Sequence, residues 1–546
     1  MEFNIADVHE AIAAAIPDRE VIVFRDRRVS YGELAERSRR LANALLERGL
    51  RVRKEREALA GHESGQDHVA LYLYNGNEYL EGMLGAWKAR VAPLNVNYRY
   101  VEEELRYLLG NARARAVIYH AEFAPILARV RDELPELQVL LQVADESGHP
   151  LLPGAEDYET ALAEASAERP DVAHSPDDLY ILYTGGTTGM PKGVLWRSAD
   201  IYVAAMGGRK LDGSEYASLD EIVATASGGG QLRSLIGPPL MHGAAQWASF
   251  MMMGGGNTLL FASEPRRLDP DDVLSTLERE RGTSLTIVGD AFARPLLDQL
   301  ERKSYDLSSL FVVGSGGAPF STAYKQAFLD RFPNMMVMDA IGSSETGAQG
   351  ANPSNQALGV STGSFKPGPG ACVVSADLSR RLQPGDEELG WFAQTGRVPL
   401  GYLGDAEKTA RTFPVIEGVR HSVPGDRARW HADGVIEVLG RDSVTINSGG
   451  EKIFAEEVEN ALKLHPDVYD AIVVGRPSER WGQEVVAIVR LREGAGQDEA
   501  ALLAEAGRHL ARYKLPKAFV FRDEIVRSPS GKADYRWAKA QAGPGA

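Results

Sequence analysis

Between Tyr183 and Val194 the chain reads YTGGTTGMPKGV, a run whose residue types fit one task, the holding of phosphate. Gly185, Gly186 and Gly189 let backbone N–H groups approach an anion closely. The hydroxyls of Thr184, Thr187 and Thr188 add donors, and Lys192 adds a positive charge. The apolar residues Leu179 to Tyr183 lead into the run and predict a buried strand. The phosphate loop of the common nucleotide hydrolases, G-x-x-x-x-G-K-[ST], does not fit. Pro191 precedes the lysine, Gly193 follows it, and no serine or threonine stands where magnesium would need one. A plain polar surface loop does not account for so biased a run directly after an apolar strand.

Four further segments carry residues that could do chemistry. Phe311 to Pro319 (FVVGSGGAP) reads as a strand opening into small residues, which leaves room for a flat ring against the backbone. Asp339 to Gly347 (DAIGSSETG) sets Glu345 among glycines and serines; alone, such a carboxylate would be a solvated group near a helix start. Val423 to Asp426 (VPGD) is by itself a turn, and Ser528 to Lys532 (SPSGK) a tail lysine in its motif. Rival chemistries find little. Gly359 to Gly363 reads G-x-S-x-G, but residues Asn352 to Ala357 before it do not predict the buried strand of a hydrolase elbow. There is no H-E-x-x-H and no ligand cluster, and the single Cys372 excludes an intrachain disulfide or a cysteine metal site.

The elements that must position these groups alternate. Helical patterns at Val8–Ala15, Tyr31–Arg48, Glu78–Ala89 and Glu102–Leu109 fall between strands at Val21–Phe24, Val69–Tyr74 and Ala116–His120. That order predicts mostly parallel sheets with helices on both faces. Arg51 to Gln66 reads as a charged surface loop, and Ser361 to Gly370 as a turn-laden connection before a β-rich stretch, Ala371 to Val438. The last hundred or so residues form a small α/β unit: helix Glu456–Leu464, strands Ala471–Gly475 and Val485–Leu491, helix Glu499–Ala511. At 546 residues the chain exceeds one core, and a formal charge of −16 argues against nucleic acid and gives no help toward an anionic membrane. The most apolar region, Leu235 to Phe261, is broken by Pro238, Pro239, His242, Gln246 and the triple glycine Gly254–Gly256, so it reads as wall and core of an internal cavity rather than a membrane span. A cytoplasmic setting and the absence of a signal peptide are expected.

Taken together, the segments resemble the signatures of the adenylate-forming superfamily of acyl-CoA synthetases, peptide-synthetase adenylation domains and luciferases. The resemblance runs from about Pro17 to Lys539 and looks closest to bacterial fatty-acyl and steroid-side-chain CoA ligases, in the local details YTGG, IGSSETG, INSGGEK and DYRWAK. It implies an α/β fold: a large N-terminal domain, 1–440, with doubly wound sheets and a β-rich subdomain; a hinge, 441–443; and a small mobile α+β C-terminal domain, 444–546. It implies ATP, Mg2+ and coenzyme A as cofactors, a small-molecule carboxylic acid as partner, and room for a homodimer.

Carried over position by position, the resemblance assigns ATP or AMP contacts to Thr184–Gly189 and Lys192, and to Gly316, Gly317, Ala318 and Pro319 as the floor under the ring. Asp339 would accept from the adenine amine, within the run Asp339, Ala340, Ile341, Gly342, Ser343, Ser344. Ile341 replaces the family's aromatic residue, keeping an apolar contact but losing ring stacking. Glu345 would hold magnesium, with Thr188 beside it. Asp426 would bind both ribose hydroxyls and Arg441 the ribose. Ser443 would be the pivot, usually aspartate or lysine, and Gly449 and Gly450 would border the coenzyme A channel. Lys532 would bridge carboxylate and nucleotide during adenylation, and His242 would sit beside the substrate carboxylate. An acyl pocket is expected from Met241, His242, Gly243, Trp247, Gly289 and Gly314, roomy enough for a medium- or long-chain or alicyclic acid. An adenylation enzyme acting on a stand-alone carrier protein is the alternative within the superfamily.

Overall fold

The computed structural model describes residues 1–185, 190–448, 451–528 and 531–543, and the side chain of Ser443 lies outside that set. Two α/β sheets make up the body of the chain. In one, strands Glu20–Phe24, Thr258–Phe261, Arg233–Ile236, Ser284–Ile287, Val312–Gly316 and Met336–Ser343 lie side by side in parallel. In the other, His68–Tyr72, Ala92–Asn95, Ala116–His120, Val139–Val143 and Leu179–Thr184 do the same, edged by the antiparallel Lys192–Arg197. Strands covered on both faces need continuous apolar sequence, and His68–Tyr72 and Val139–Val143 are buried at every position. The largest core cluster packs helices Tyr31–Glu47, Asn77–Lys88 and Gly243–Gly254 between the two sheets.

The first sheet turns antiparallel at Met336–Ser343 and runs on through Gly347–Ser354 and Ile436–Arg441 into the β-rich part, with Val415–Ile416 at its far edge. Here one expectation fails. Ser361 to Gly370 is not only turns: Ser364–Pro367 is a strand that pairs with Gly347–Ser354 on one side and Ile436–Arg441 on the other. Asn352 to Ser354 end a strand, with Asn352 and Pro353 half-buried. Both stretches lack alternating apolar residues, and their neighbours rather than their own sequence draw them into the sheet.

After Arg441 one turn, Asp442–Val444, leads to a separate sheet that begins at Ile446–Ser448. The long hairpin Val468–Ser478 and Gly482–Leu491 is its centre, with Ala518–Phe521 added in parallel. Helix Glu499–Ala506 is shorter than its pattern suggested: Gly507 caps it by donating to the Leu503 carbonyl, and Arg512–Lys514 form a separate turn. Leu235 to Phe261 resolves into strand, helix and strand, and among the described residues no helix is long and apolar enough to cross a membrane.

Candidate active site

The loop between Arg233–Ile236 and Gly243–Gly254 brings His242 to the top of the first sheet. Two asparagines from the other sheet hold it there. Asn75 accepts from Leu240 N (2.6 Å) and donates to the Pro238 carbonyl (3.1 Å). Asn95 donates to the Met241 carbonyl (2.6 Å) and accepts from Tyr183 N (2.7 Å), tying this loop to the end of the strand before the phosphate segment. Gly243 packs against the same strand: a Cβ there would stand 2.6 Å from Leu182 Cδ2, so that side chain would have to shift to admit one. His242 is half-buried, and its Nε2, shielded from solvent, meets no hydrogen-bond partner among the described residues. Burial first, then Lys532 and Arg99, drive its pKa down to about 3, so the imidazole is neutral.

Glu345 lies in the tight turn between Met336–Ser343 and Gly347–Ser354. Gly342 faces Gly347 so closely that a Cβ would lie 2.2 Å from the Gly347 carbonyl, and Gly347 itself has φ +71°. Trp196 donates to the Ser344 carbonyl (2.8 Å) and Ser422 to the Glu345 carbonyl (2.6 Å). The carboxylate is buried at 8% exposure, not solvated, no helix follows it, and Tyr402 donates to its Oε1 at 2.8 Å. Its other oxygen receives no hydrogen bond from the described residues. Among those residues no three His, Cys, Asp or Glu could jointly hold a metal ion. The donor set therefore fits a hard cation only where ligand oxygens complete the shell, as in a metal–triphosphate complex.

Lys532 comes to the same corner from the C-terminal sheet. Gly531 (φ +72°) makes the approach possible: a Cβ there would meet Ala291 Cβ at 2.9 Å and the Val288 carbonyl at 3.1 Å. Lys532 is solvent-accessible, with protein of both domains around it. That crowding and the Arg441 charge lower its pKa, against the opposing pull of Glu345 and Asp426. Arg441 Nε stands 3.3 Å from Asp426 Oδ1; burial opposes its charge, but Asp426, Glu345 and Glu456 hold its pKa up.

Not every expected residue joins this corner. Lys192 is paired with Asp405 at 2.6 Å, and Asp339 with Lys325 at 2.6 Å. Thr184 ends its strand and Gly185 is exposed, while Gly186, Thr187, Thr188, Gly189, Gly449 and Gly450 lie outside the described residues. Ser443 sits in the turn Asp442–Val444. Gly316 lies opposite Ala340 in the parallel register, with Gly317 (φ +85°), Ala318 and Pro319 following; Ile341 packs against the β-rich core. Gly289 is wedged against the Pro319 carbonyl rather than open to a cavity, while nothing would crowd a Cβ at Gly314. A cavity of about 190 Å³ lies between the domains, lined by Ile236, Gly237, Pro239, Phe292, Arg99 and Arg527 among others. None of the residues expected to form the acyl pocket, Met241, His242, Gly243, Trp247, Gly289 and Gly314, is in its lining.

The sequence reading missed Tyr402, Asp405 and Lys325. Each reaches an expected site residue 57, 213 and 14 residues away, respectively, and no local pattern announces the contact.

With that geometry in hand, comparison with known proteins is direct. The family model described as AMP-binding enzyme matches residues 9–391, and that described as AMP-binding enzyme C-terminal domain matches 457–532. The medium-chain acyl-CoA ligase Mig of Mycobacterium avium is 58% identical over 541 residues, covering 99% of this chain and 98% of that one. A Mycolicibacterium smegmatis protein named medium/long-chain-fatty-acid–CoA/3-oxocholest-4-en-26-oate–CoA ligase is 42% identical over 99% of this chain and 96% of its own. Among solved structures, ATP-bound MatB from Rhodopseudomonas palustris superposes with a TM-score of 0.81 at 24% identity, covering 98% of this chain and 99% of that one; at that identity it speaks for the fold alone. The chain belongs to the AMP-binding enzyme family, the adenylate-forming superfamily that contains the acyl-CoA ligases.

Proposed function

We propose that this protein activates a medium- or long-chain fatty acid, or a steroid side-chain acid, with ATP and passes the acyl group to coenzyme A. The observation that carries the reading is the convergence of Lys532 with Glu345, Asp426, Arg441 and His242 on one corner, from segments up to about 290 residues apart in sequence. A carboxylate is a poor acyl donor because its leaving group is oxide. Its oxygen attacks the α-phosphorus of ATP, the bond to the bridging oxygen breaks, and pyrophosphate leaves. The thiol then attacks the acyl carbonyl of the mixed anhydride, and AMP leaves with the electron pair.

Neither step needs a covalent enzyme nucleophile, only positioning and charge. Lys532 places an ammonium between the two anions that must meet. Neutral His242 orients the acid without adding charge. Asp426 accepts from the ribose hydroxyls while Arg441 faces the same sugar. Magnesium would be held by Glu345 together with phosphate oxygens, and would offset the negative charge of the leaving pyrophosphate. The hinge segment 441–443 is the joint about which the C-terminal domain, from 444 onward, moves between the two half-reactions.

The similarity to the Mycobacterium avium and Mycolicibacterium smegmatis ligases supports the acid class. The test is acid-dependent exchange of pyrophosphate into ATP, followed by coupled AMP release over short, medium, long-chain, aromatic and steroid acids. The expected result is exchange with medium or longer acids and release only when coenzyme A is added. A preference for acetate would remove the roomy-pocket reading, and exchange without any coenzyme A-dependent release would point to another acceptor.

A further inference from the structure

Lys325 is buried to 0% exposure, and nothing in the proposed chemistry uses it. It stands on helix Thr322–Arg331 and aims its ammonium at the strand that carries Asp339. Nζ donates to Asp339 Oδ2 at 2.6 Å and to the Ser361 carbonyl at 2.7 Å, and it lies 5.5 Å from the centre of the Phe320 ring. Asn352 donates to the same Ser361 carbonyl at 3.1 Å, so the cation closes a small clamp across three segments. Asp339 is itself only 4% exposed and lies next to Ser315 in the parallel register, one residue before the pair Gly316 and Ala340. Its second oxygen, Oδ1, takes no hydrogen bond from the described residues.

A carboxylate buried this deeply favours its neutral form, and burial does push Asp339 upward against the pull of Lys325. A protonated carboxyl could donate as well as accept. Ionised, it can only accept. We propose that Lys325 is a positioning residue that keeps Asp339 an acceptor-only carboxylate, so that the base site favours the 6-amino group of adenine over a 6-carbonyl. This rests on the adenylate-forming reading above. A 6-carbonyl placed there would set acceptor against acceptor, which costs more than the simple loss of a contact.

The test uses the full-length protein and three nucleotides in the acid-dependent exchange assay: ATP, inosine triphosphate, and purine riboside triphosphate, which lacks any 6-substituent. In Lys325→Met the KM for ATP should rise by about tenfold, the worth of one charge-assisted hydrogen bond. Its kcat should hold and the KM for purine riboside triphosphate should stay as in the unaltered protein. Preference for ATP over inosine triphosphate should fall in step, and Lys325→Arg should restore most of it. An equal KM penalty on ATP and purine riboside triphosphate would overturn the proposal, since a merely structural lysine cannot sense the amine. If Lys325→Met does not fold, the uncharged pair Lys325→Met/Asp339→Asn carries the test. An amide can turn to donate, so the gap between ATP and inosine triphosphate should close, and a gap as wide as before would overturn the proposal. Absence of exchange with ATP for every acid in the unaltered protein would instead sink the proposed function, and this inference with it.

Discussion

Two clusters of charge straddle the boundary between the large body and the C-terminal unit, and they are built differently. In the first, Asp470 receives two hydrogen bonds from Arg527, both 2.9 Å, with Arg294 at 3.4 Å and Lys463 at 3.9 Å. Arg294 also lies 4.2 Å from the Tyr469 ring centre, and Lys463 reaches Asp290 at 3.5 Å. Asp470, Arg294 and Lys463 are all about 5% exposed. Burial opposes the Asp470 charge, but Arg527 and Arg294 hold its pKa far below the carboxylate range. In the second cluster Lys532 and Arg441 face a solvent-accessible corner, with Asp426 and Glu345 only partly offsetting them. Charges that close on one another and exclude water fix geometry. Cations left open to solvent, and crowded enough to lower a lysine pKa, are those an anionic substrate can complete.

The sharpest way to break this contrast is Lys532→Ala. Adenylation should fall by about 100-fold or more, the scale of a lost charge stabiliser, while thioester formation from pre-made acyl-AMP changes little. Equal loss of both steps would make Lys532 another structural charge. Glu345→Gln keeps the shape and the Tyr402 contact but removes the charge. Exchange activity should drop by roughly tenfold to 100-fold and its dependence on magnesium should flatten. An unchanged magnesium titration would remove Glu345 from the site.

Asp470→Ala should act in the opposite manner. It strands two buried guanidinium groups, which costs about 3 kcal/mol, read as an earlier thermal transition of the C-terminal unit. An unaltered transition would mean the closed cluster is as loosely held as the open one. The smallest effect is a pH dependence. The folded pKa of His242, about 3, lies below the ordinary 6.5, so the unfolded chain binds more protons between those values. Its contribution to stability is complete above pH 6.5 and is lost as pH falls. His242→Gln should therefore lose about 2 °C less in apparent melting temperature between pH 6.5 and pH 5. An identical slope would place His242 in solvent.

Much of this was legible beforehand because glycine and proline punctuation marks the turns from which the site is made. Strand Leu179–Thr184, helix Tyr31–Glu47 and strand Ala116–His120 fall within a residue or so of their patterns. Strand Ser364–Pro367 was not legible: its burial comes from two neighbouring strands, one of them about 70 residues on. Nor were the pairings of Lys192 with Asp405 and Asp339 with Lys325, where an expected ligand of the nucleotide proved to have a protein partner of its own. Side-chain partners across the fold leave no periodicity to read.

What the amino-acid sequence determined by itself is the inventory: which segments end in glycine-rich turns, which carry the hydroxyls, the acid and the two lysines, and that mostly parallel strands covered by helices would follow. Those features depend on local backbone preference and on residue chemistry, both carried in short stretches of chain. Only the tertiary structure decided which charges neutralise each other and which remain open, because that depends on burial and distance between segments hundreds of residues apart.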